Sequence, residues 1–229
     1  MNLSHLFKEK ILKLPKTILG NVDLSLLHIV ELLELPKVVH GKVNLENLRE
    51  ANKIIFSDIL KGGLYLGKLA KINELILPRI LEGETDLSSL VSVEKIVFQE
   101  EINEDVYLDC FDCSTKLEFP SVVDGSIYLR GIQSIYDIKL PDILNGTLCL
   151  DHLIAVNMDK FFGTKNDSTY ENRRLKLPYK IAGTLDMGKL RSVEDLEIPD
   201  ELECELYCPL ANNDINVLKQ MCKENNKMK

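Results

Sequence analysis

Residues 62–83 read GGLYLGKLAKINELILPRILEG, and this pattern of Gly, aliphatic residues and Pro recurs along most of the chain. Gly62 and Gly83 lie 21 residues apart, and the same step separates most positions of the series. A fixed period of about this length is typical of solenoid repeat proteins. The series consists of Gly20, Gly41, Gly62, Gly83, Glu104, Gly125, Gly146, Gly183 and Cys204.

These nine positions define nine coils, and we count offsets within a coil from its Gly position. One step is longer than the others, because Gly146 and Gly183 are 37 residues apart. The extra residues form an insertion at about 157–172. Pro precedes most Gly positions by five residues, and Ser57 and Gln99 stand where Pro is missing. These prolines are Pro15, Pro36, Pro78, Pro120, Pro141, Pro178 and Pro199.

Aliphatic residues occupy offsets 2 and 4 of nearly every coil, and again offsets 13 and 15, with other residues between them. Alternation with a period of two is the pattern of a β-strand that buries one face. The sequence therefore predicts a β-rich solenoid of nine 21-residue coils with two short parallel strands each. Stacked coils bury a continuous core that no single coil could bury alone.

Gly suits a tight turn before the first strand, including one with positive φ, and Pro ends the second strand. Short helical caps are expected at both ends. Ser4 is a candidate cap of an N-terminal helix within residues 1–10, with Phe7 and Ile11 near one face. The repeats span residues 11–210, and residues 211–229 are predicted to form a C-terminal cap helix and tail in one domain. The apolar stripe of this C-terminal helix consists of Ile215, Leu218, Met221 and Cys222.

Three segments, KINELILP at 71–78, SVEKIVFQ at 92–99 and SVEDLEIP at 192–199, resemble the L-x-x-L-x-L of leucine-rich repeats. The Pro that follows resembles the BspA-type bacterial variety. The G-x-L-x-L-x-x-L half is similar to a strand of receptor L-domains. The chain lacks the Asn that follows L-x-L in common leucine-rich repeats, so we expect a flatter, two-sheet coil. The resemblance implies a solenoid that binds proteins, and a bacterial source.

Composition excludes several classes of function. The 229 residues carry a net charge of −8 and no Trp, and only 6% are aromatic. An acidic chain with few aromatic residues is not expected to bind nucleic acid. No apolar run is long enough to span a membrane, and no secretory signal is recognisable at the start. We expect a cytoplasmic protein, or one delivered to a host cell without a cleaved signal peptide.

The cysteines form two close pairs, Cys110 with Cys113 and Cys204 with Cys208. Four coils at about 4.8 Å each would place these pairs about 20 Å apart. Zinc ligands must lie within about 2.3 Å of the metal, so the two pairs cannot share one ion. Cys208 stands in the Leu column of offset 4 and is interpreted as a core residue. We expect no metal and no cofactor, although Cys110 with Cys113 could act alone as a redox or half-metal site.

Catalysis has one candidate column at offset 5, where Asp109, Arg130 and Asp151 occupy consecutive coils. Two carboxylates about 10 Å apart are near the spacing of inverting glycosidases. Arg130 between them also favours a simple charge ladder. We predict no enzymatic activity, and a carbohydrate-active solenoid enzyme is the alternative.

Binding surfaces are more prominent. Offset 14 places three apolar residues, Ile55, Ile76 and Val97, on the outer side of the second strand, with charged residues beside them. An apolar centre with a charged rim is typical of an interface, although a covering loop or plain strand propensity would also explain it.

Tyrosines occupy the outer side of the first strand. Tyr107 and Tyr128 are adjacent at offset 3, beside Arg130. Tyr and Arg are favoured interface anchors, and Tyr pairs also stabilise sheets by stacking across strands.

The insertion supplies a third surface, with Phe161 and Phe162 as candidate contacts. A tolerated insertion without a role is the alternative. Together these patterns predict a protein-protein interaction module of leucine-rich-repeat type, and the resemblance suggests a bacterial effector or host-interacting protein. A regulatory domain of a larger assembly is a further alternative.

Overall fold

Successive coils stack in register as a parallel β-solenoid in the computed structural model of this chain. Val22 pairs with Val43, and Leu64 pairs with Thr85, each 21 residues further along. Across the insertion, Leu148 pairs with Leu185, so the extra residues leave the register intact. The predicted solenoid and its 21-residue coil are therefore confirmed. The structure describes residues 7–70, 72–88, 90, 93–109, 116–133, 137–162 and 174–227.

The first predicted strand of each coil contributes to one continuous sheet, which we call face 1. Within the described residues this sheet has nine strands, one for each predicted coil, and every pairing is parallel. Its strands are β3 Val22–Asp23, β6 Val43–Asn44, β9 Leu64–Tyr65, β12 Thr85–Asp86, β15 Val106–Tyr107, β18 Ile127–Tyr128, β21 Leu148–Cys149, β24 Thr184–Asp186 and β26 Glu205–Tyr207.

The second predicted strand forms face 2. Here the chain pairs in three successive sheets of three, four and two strands over the described residues. The strands are β1 Lys8–Lys13, β4 Ile29–Glu34, β7 Glu50–Ile55, β10 Ile72–Ile76, β13 Val93–Val97, β16 Lys116–Glu118, β19 Asp137–Lys139, β22 Leu175–Lys176 and β25 Leu196–Glu197.

Most coils also contain a third strand, which the sequence pattern did not predict. Its two residues lie between the Pro position and the following Gly position and form face 3, in sheets of five and three described strands. Two residues are too short to show strand alternation, and the buried member of each strand is the aliphatic residue two before the Gly position. The strands are β2 Thr17–Ile18, β5 Val38–Val39, β8 Ile59–Leu60, β11 Ile80–Leu81, β14 Glu101–Ile102, β17 Val122–Val123, β20 Ile143–Leu144 and β23 Lys180–Ile181.

The core lies between the three faces and is built from columns of equivalent residues. Every described member of the offset 4 column is fully buried, including Cys208, which confirms that this cysteine is a core residue. Burying a Leu side chain stabilises a fold by about 1.5–3 kcal/mol, so each column contributes along the whole solenoid. The column consists of Leu24, Leu45, Leu66, Leu87, Leu108, Leu129, Leu150, Met187 and Cys208.

The C-terminal end is closed by a helical cap, as predicted. A short 3-10 helix, Pro209–Ala211, leads into helix α2, Ile215–Lys227. Leu218 and Cys222 of α2 are buried against the last coil, and Ile215 and Met221 pack beside them.

The predicted N-terminal helix is wrong for the part that the structure describes. Lys8–Lys13 forms strand β1, which pairs with β4, and Ser4 lies outside the described residues. Leu12 and Leu14 explain the difference, because they stand 21 residues before Leu33 and Leu35 of the next coil. The repeat therefore begins one partial coil earlier than the first Gly position indicates.

The Gly column is required by close stacking and not by positive φ. The φ angles of Gly41, Gly62 and Gly146 lie outside the left-handed region, so these turns do not use the positive φ that Gly would allow. A Cβ atom on Gly62 would lie 2.4 Å from the carbonyl carbon of Gly41, and one on Gly146 would lie 2.4 Å from the carbonyl oxygen of Gly125. The backbones of successive coils therefore approach too closely for a side chain between them.

Polar side chains at offset 1 link neighbouring coils along the edge of face 1. The Asp105 carboxylate accepts a hydrogen bond from the Ser126 backbone N–H at 2.7 Å. The Ser126 hydroxyl in turn accepts from the Thr147 N–H at 3.2 Å, and the Thr147 hydroxyl accepts from the Thr184 N–H at 3.3 Å. This ladder provides hydrogen-bond partners for backbone N–H groups at the turns of successive coils.

Ser57 stands at the position where most coils have Pro, and it gives a first stability prediction. It is buried, and its hydroxyl has no hydrogen-bond partner among the described residues. A buried hydroxyl without a partner costs roughly 1–3 kcal/mol. We therefore expect Ser57→Ala to raise the free energy of unfolding by about 1 kcal/mol in urea titrations. Ser121→Ala is the control, because Ser121 is exposed, and a stability gain of equal size there would contradict the explanation.

Candidate functional site

The apolar strip of face 2 consists of Ile55, Ile76 and Val97. Ile55 is 41% exposed and Ile76 is 45% exposed, while Val97 is partly buried. The residues just before them in each strand belong to the core, and Leu75 is only 1% exposed. Offset 14 therefore points outward, as the alternation predicted, and three consecutive coils present an aliphatic side chain on their outer surface.

Charged side chains surround the strip and pair with one another. The Lys95 Nζ lies 3.4 Å from a carboxylate oxygen of Glu74. Nearer the start of the solenoid, the Lys13 Nζ lies 2.8 Å from a carboxylate oxygen of Glu34. Beyond Val97, Lys116 contacts the Glu118 carboxylate at 3.2 Å. Each exposed ion pair contributes less than about 1 kcal/mol to the stability of the fold. The charged residues therefore matter mainly as a polar rim around the strip.

A groove continues from the strip toward face 3. Val97, Phe119 and Val122 are among the residues that line it, and its volume is about 500 Å³. Face 3 also carries a column of partly buried aliphatic residues, Ile59 and Ile80, on the same coils as the strip. Sequence reasoning missed this apolar area because it did not predict the third strand, and the signal available was the recurrent aliphatic residue three before the Gly position.

The tyrosine cluster lies on face 1. The rings of Tyr107 and Tyr128 stack with their centroids 4.8 Å apart and an angle of 4° between the planes. The Arg130 guanidinium carbon lies 4.8 Å from the Tyr128 ring centroid. A guanidinium Nη1 of Arg130 is also 3.9 Å from an Asp109 oxygen. The structure therefore brings three predicted binding residues together and shows that two of them also stabilise the sheet by stacking.

Burial and nearby carboxylates perturb the groups of this cluster. Burial raises the pKa of Tyr107 to about 12, and the negative charges of Asp105 and Glu84 add to the shift. The Tyr107 hydroxyl donates a hydrogen bond to Asp105 at 3.3 Å. Tyr107 is thus a neutral hydrogen-bonding group at physiological pH.

The offset 5 column forms an ion pair at one end. Burial raises the pKa of Asp109, while Arg130 acts in the opposite direction. Asp151, the third member, has an oxygen 2.9 Å from Nδ1 of His152. A carboxylate paired with a guanidinium fits the charge-ladder interpretation, and no described contact singles out one of these carboxylates as a proton donor.

The structure describes one of the two predicted cysteine pairs, Cys204 with Cys208. Cys110 and Cys113 lie outside the described residues. Burial raises the pKa of both the Cys204 and the Cys208 thiols, which disfavours the thiolate form that binds metals. Among the described residues, no group of three or more His, Cys, Asp or Glu side chains could hold a metal ion.

The insertion begins with a short helix, α1, Met158–Phe162. Phe161 and Phe162 are both exposed, with ring centroids 5.1 Å apart and a nearly perpendicular arrangement. The rest of the insertion, from residue 163 to residue 173, lies outside the described residues. The described part thus presents two aromatic side chains on the surface.

None of the helices within the described ranges is both long and apolar enough to cross a lipid bilayer.

Comparison with protein-family models gave no match for this chain. Searches for similar curated proteins and for similar solved structures also gave no match. The solenoid fold is therefore established here by the strand pairing of the chain itself, and no family match supports the resemblance to leucine-rich repeats.

Proposed function

We propose that this chain is a non-enzymatic, protein-binding repeat module that uses the apolar strip of face 2 as its principal contact. The observation that carries the proposal is the exposure of Ile55 and Ile76 on β7 and β10, the strands of two consecutive coils of face 2. Aliphatic side chains with a charged rim are the arrangement that protein interfaces use, and their burial is the main favourable term in association.

The shape of the molecule supports the same role. A solenoid presents rows of equivalent side chains at fixed spacing, so a partner can be recognised along several coils at once. The proposal includes a leucine-rich-repeat type of binding, as the repeat pattern suggests, and a role as a bacterial effector that meets a host protein. Those two parts depend on the resemblance and on fold-level analogy.

The test removes the strip without disturbing the fold. We expect the double variant Ile55→Asp, Ile76→Asp to lose a partner that the wild-type chain captures from lysates, because two charges would replace the apolar centre. Circular dichroism checks that the variant keeps its strand signal. Purification of the captured protein and titration with both chains should show at least a tenfold loss of affinity, about 1.4 kcal/mol.

The matched control is Leu19→Asp, Leu26→Asp, which replaces two exposed aliphatic residues outside face 2 by the same charges. Leu19 is 80% exposed and Leu26 is 48% exposed. The proposal requires this control to bind as the wild type does. An equal loss in both variants, or full binding by a folded strip variant, would show that the strip is not the contact.

A further inference from the structure

The last strand of face 1, β26, has one edge without a neighbouring strand. In earlier coils, the backbone N–H at offset 2 donates to the offset 1 carbonyl of the next coil, as Val22 does to Lys42 at 2.8 Å. In a parallel sheet, the N–H and C=O of one residue face the same neighbouring strand. Leu206 is the offset 2 residue of coil 9, so both of its backbone groups face away from Leu185 and coil 8. Among the described residues, no strand lies on that side of β26.

The chain itself closes the next donor along this edge. At offset 4, the Met187 N–H donates to the Tyr207 carbonyl of the next coil at 2.8 Å. Cys208 stands at the same offset of the last coil, and there the side-chain carbonyl of Asn213 accepts the N–H, also at 2.8 Å. The Asn213 N–H donates back to the Cys208 carbonyl at 3.0 Å. Asn213 therefore substitutes for a further coil at offset 4 and leaves offset 2 open.

A groove lies beside the open part of the edge. Its volume is about 590 Å³, and Leu206, Tyr207, Asn213 and Ile215 are among the residues that line it. Leu206 is only partly buried, whereas the offset 2 residues of all earlier coils are fully buried. Helix α2 thus covers the end of the core without completing the last column. The groove combines open backbone groups with an apolar lining.

The chemistry of this edge indicates an extended peptide strand as the occupant. Continuation of the parallel register would place three residues of that strand opposite Glu205, Leu206 and Tyr207. The carbonyl of the first residue would accept from the Leu206 N–H, and the N–H of the third would donate to the Leu206 carbonyl. The middle side chain would point inward beside Leu206 and should be aliphatic. The first would lie beside the exposed Glu205 carboxylate, so Lys or Arg is favoured there.

Coil 2 of the chain contains a segment of this kind. Lys42, Val43 and Asn44 occupy offsets 1, 2 and 3, and Val43 and Asn44 pair with coil 1 in the same register. The Lys42 carbonyl accepts the offset 2 N–H of coil 1, which is the bond that Leu206 has no further coil to form. A peptide with the sequence of residues 40–47 therefore carries the basic and aliphatic side chains in the required order.

We propose that the open edge of β26 binds an extended segment of a protein partner by parallel β-strand addition, with a basic residue opposite Glu205 and an aliphatic residue opposite Leu206. Strand addition takes its affinity from main-chain hydrogen bonds and its specificity from alternate side chains. The proposal goes beyond the strip of face 2 and does not depend on it, because β26 belongs to a different sheet.

The test titrates the full chain into a fluorescently labelled peptide with the sequence of residues 40–47 and follows anisotropy. Two N-methylated forms of the peptide are compared with it. N-methylation at Asn44 removes the N–H that the Leu206 carbonyl would accept, so we expect a loss of affinity of about tenfold or more. N-methylation at Val43 is the matched control, because that N–H would face away from β26. This control peptide should bind within about threefold of the unmodified one.

A charge exchange tests the register. Glu205→Lys should weaken binding about fivefold, and a peptide carrying Lys42→Glu should recover the loss, because opposite charges again face each other.

Equal binding of the two N-methylated peptides, or a dissociation constant above about 1 mM for the wild type, would overturn the proposal. If the wild-type chain dimerises and this peptide returns it to a monomer, the edge belongs to a second copy, and the assignment to a separate partner is wrong. The strip variant Ile55→Asp, Ile76→Asp should retain peptide binding, so the two proposals can fail separately.

Discussion

Leu75→Asp is expected to unfold the solenoid, whereas Ile76→Asp, at the next residue of strand β10, should leave it folded. Leu75 is buried in the core and Ile76 is exposed on the strip. A carboxylate placed in an apolar core without a partner must either lose its charge or expose the core to water, and it also loses the packing of the leucine. We expect a loss of more than about 4 kcal/mol for Leu75→Asp and less than about 1 kcal/mol for Ile76→Asp.

The measurement is urea unfolding followed by circular dichroism on both variants and the wild type. Each variant carries the same new charge one residue apart, so a difference between them reports burial and not charge. If Ile76→Asp unfolds as readily as Leu75→Asp, the strip belongs to the core, and both the register of face 2 and the proposed interface are wrong. Ile55→Asp repeats the comparison one coil earlier.

A single methyl group in the Gly column should have the second largest effect. In Gly62→Ala the new Cβ would lie 2.4 Å from the Gly41 carbonyl carbon and 2.6 Å from the Lys42 nitrogen. These are backbone atoms that cannot rotate away, so the coils must separate locally. Overpacking of this kind costs about 1–3 kcal/mol. The native column already accommodates Glu104, so the change should weaken the fold and not abolish it.

Gly20→Ala is the matched control at the start of the same column. A Cβ on Gly20 has nothing within 4 Å. It should leave stability unchanged or raise it by up to about 1 kcal/mol, because Ala restricts the unfolded chain more than Gly does. The check is the difference in unfolding midpoint between the two Ala variants. Equal midpoints would mean that close stacking does not constrain the column.

The repeat predicted most of the fold because in a solenoid sequence position fixes spatial position. Offsets 2 and 4 identified face 1 and its core column, and offsets 13 and 15 identified face 2. The pairing of Tyr107 with Tyr128 followed from the same 21-residue step. The strip of Ile55 and Ile76 was predicted for that reason also, since alternation along a strand decides which residues point outward.

Other features were beyond sequence reasoning. Face 3 was missed because two residues cannot display a periodic pattern. The spacing of Phe7 and Ile11 also fits a helix, and the strand that β1 pairs with is 21 residues further along the chain. Close stacking of the backbones explains the recurring Gly, and the distance between the backbones of different coils is not encoded in any local sequence pattern.

The sequence by itself determined the coil length, the inward columns and the outward rows, and it indicated the number of coils to within about one. These follow from periodicity, because apolar residues that recur at a fixed step can be buried together only if the coils stack. The tertiary structure decided how the rows meet in space. It showed the stacking of Tyr107 on Tyr128, the contact of Arg130 with Asp109, and the closure by α2 through Leu218. These depend on side-chain conformation and on the packing of separate coils, which composition and spacing do not specify.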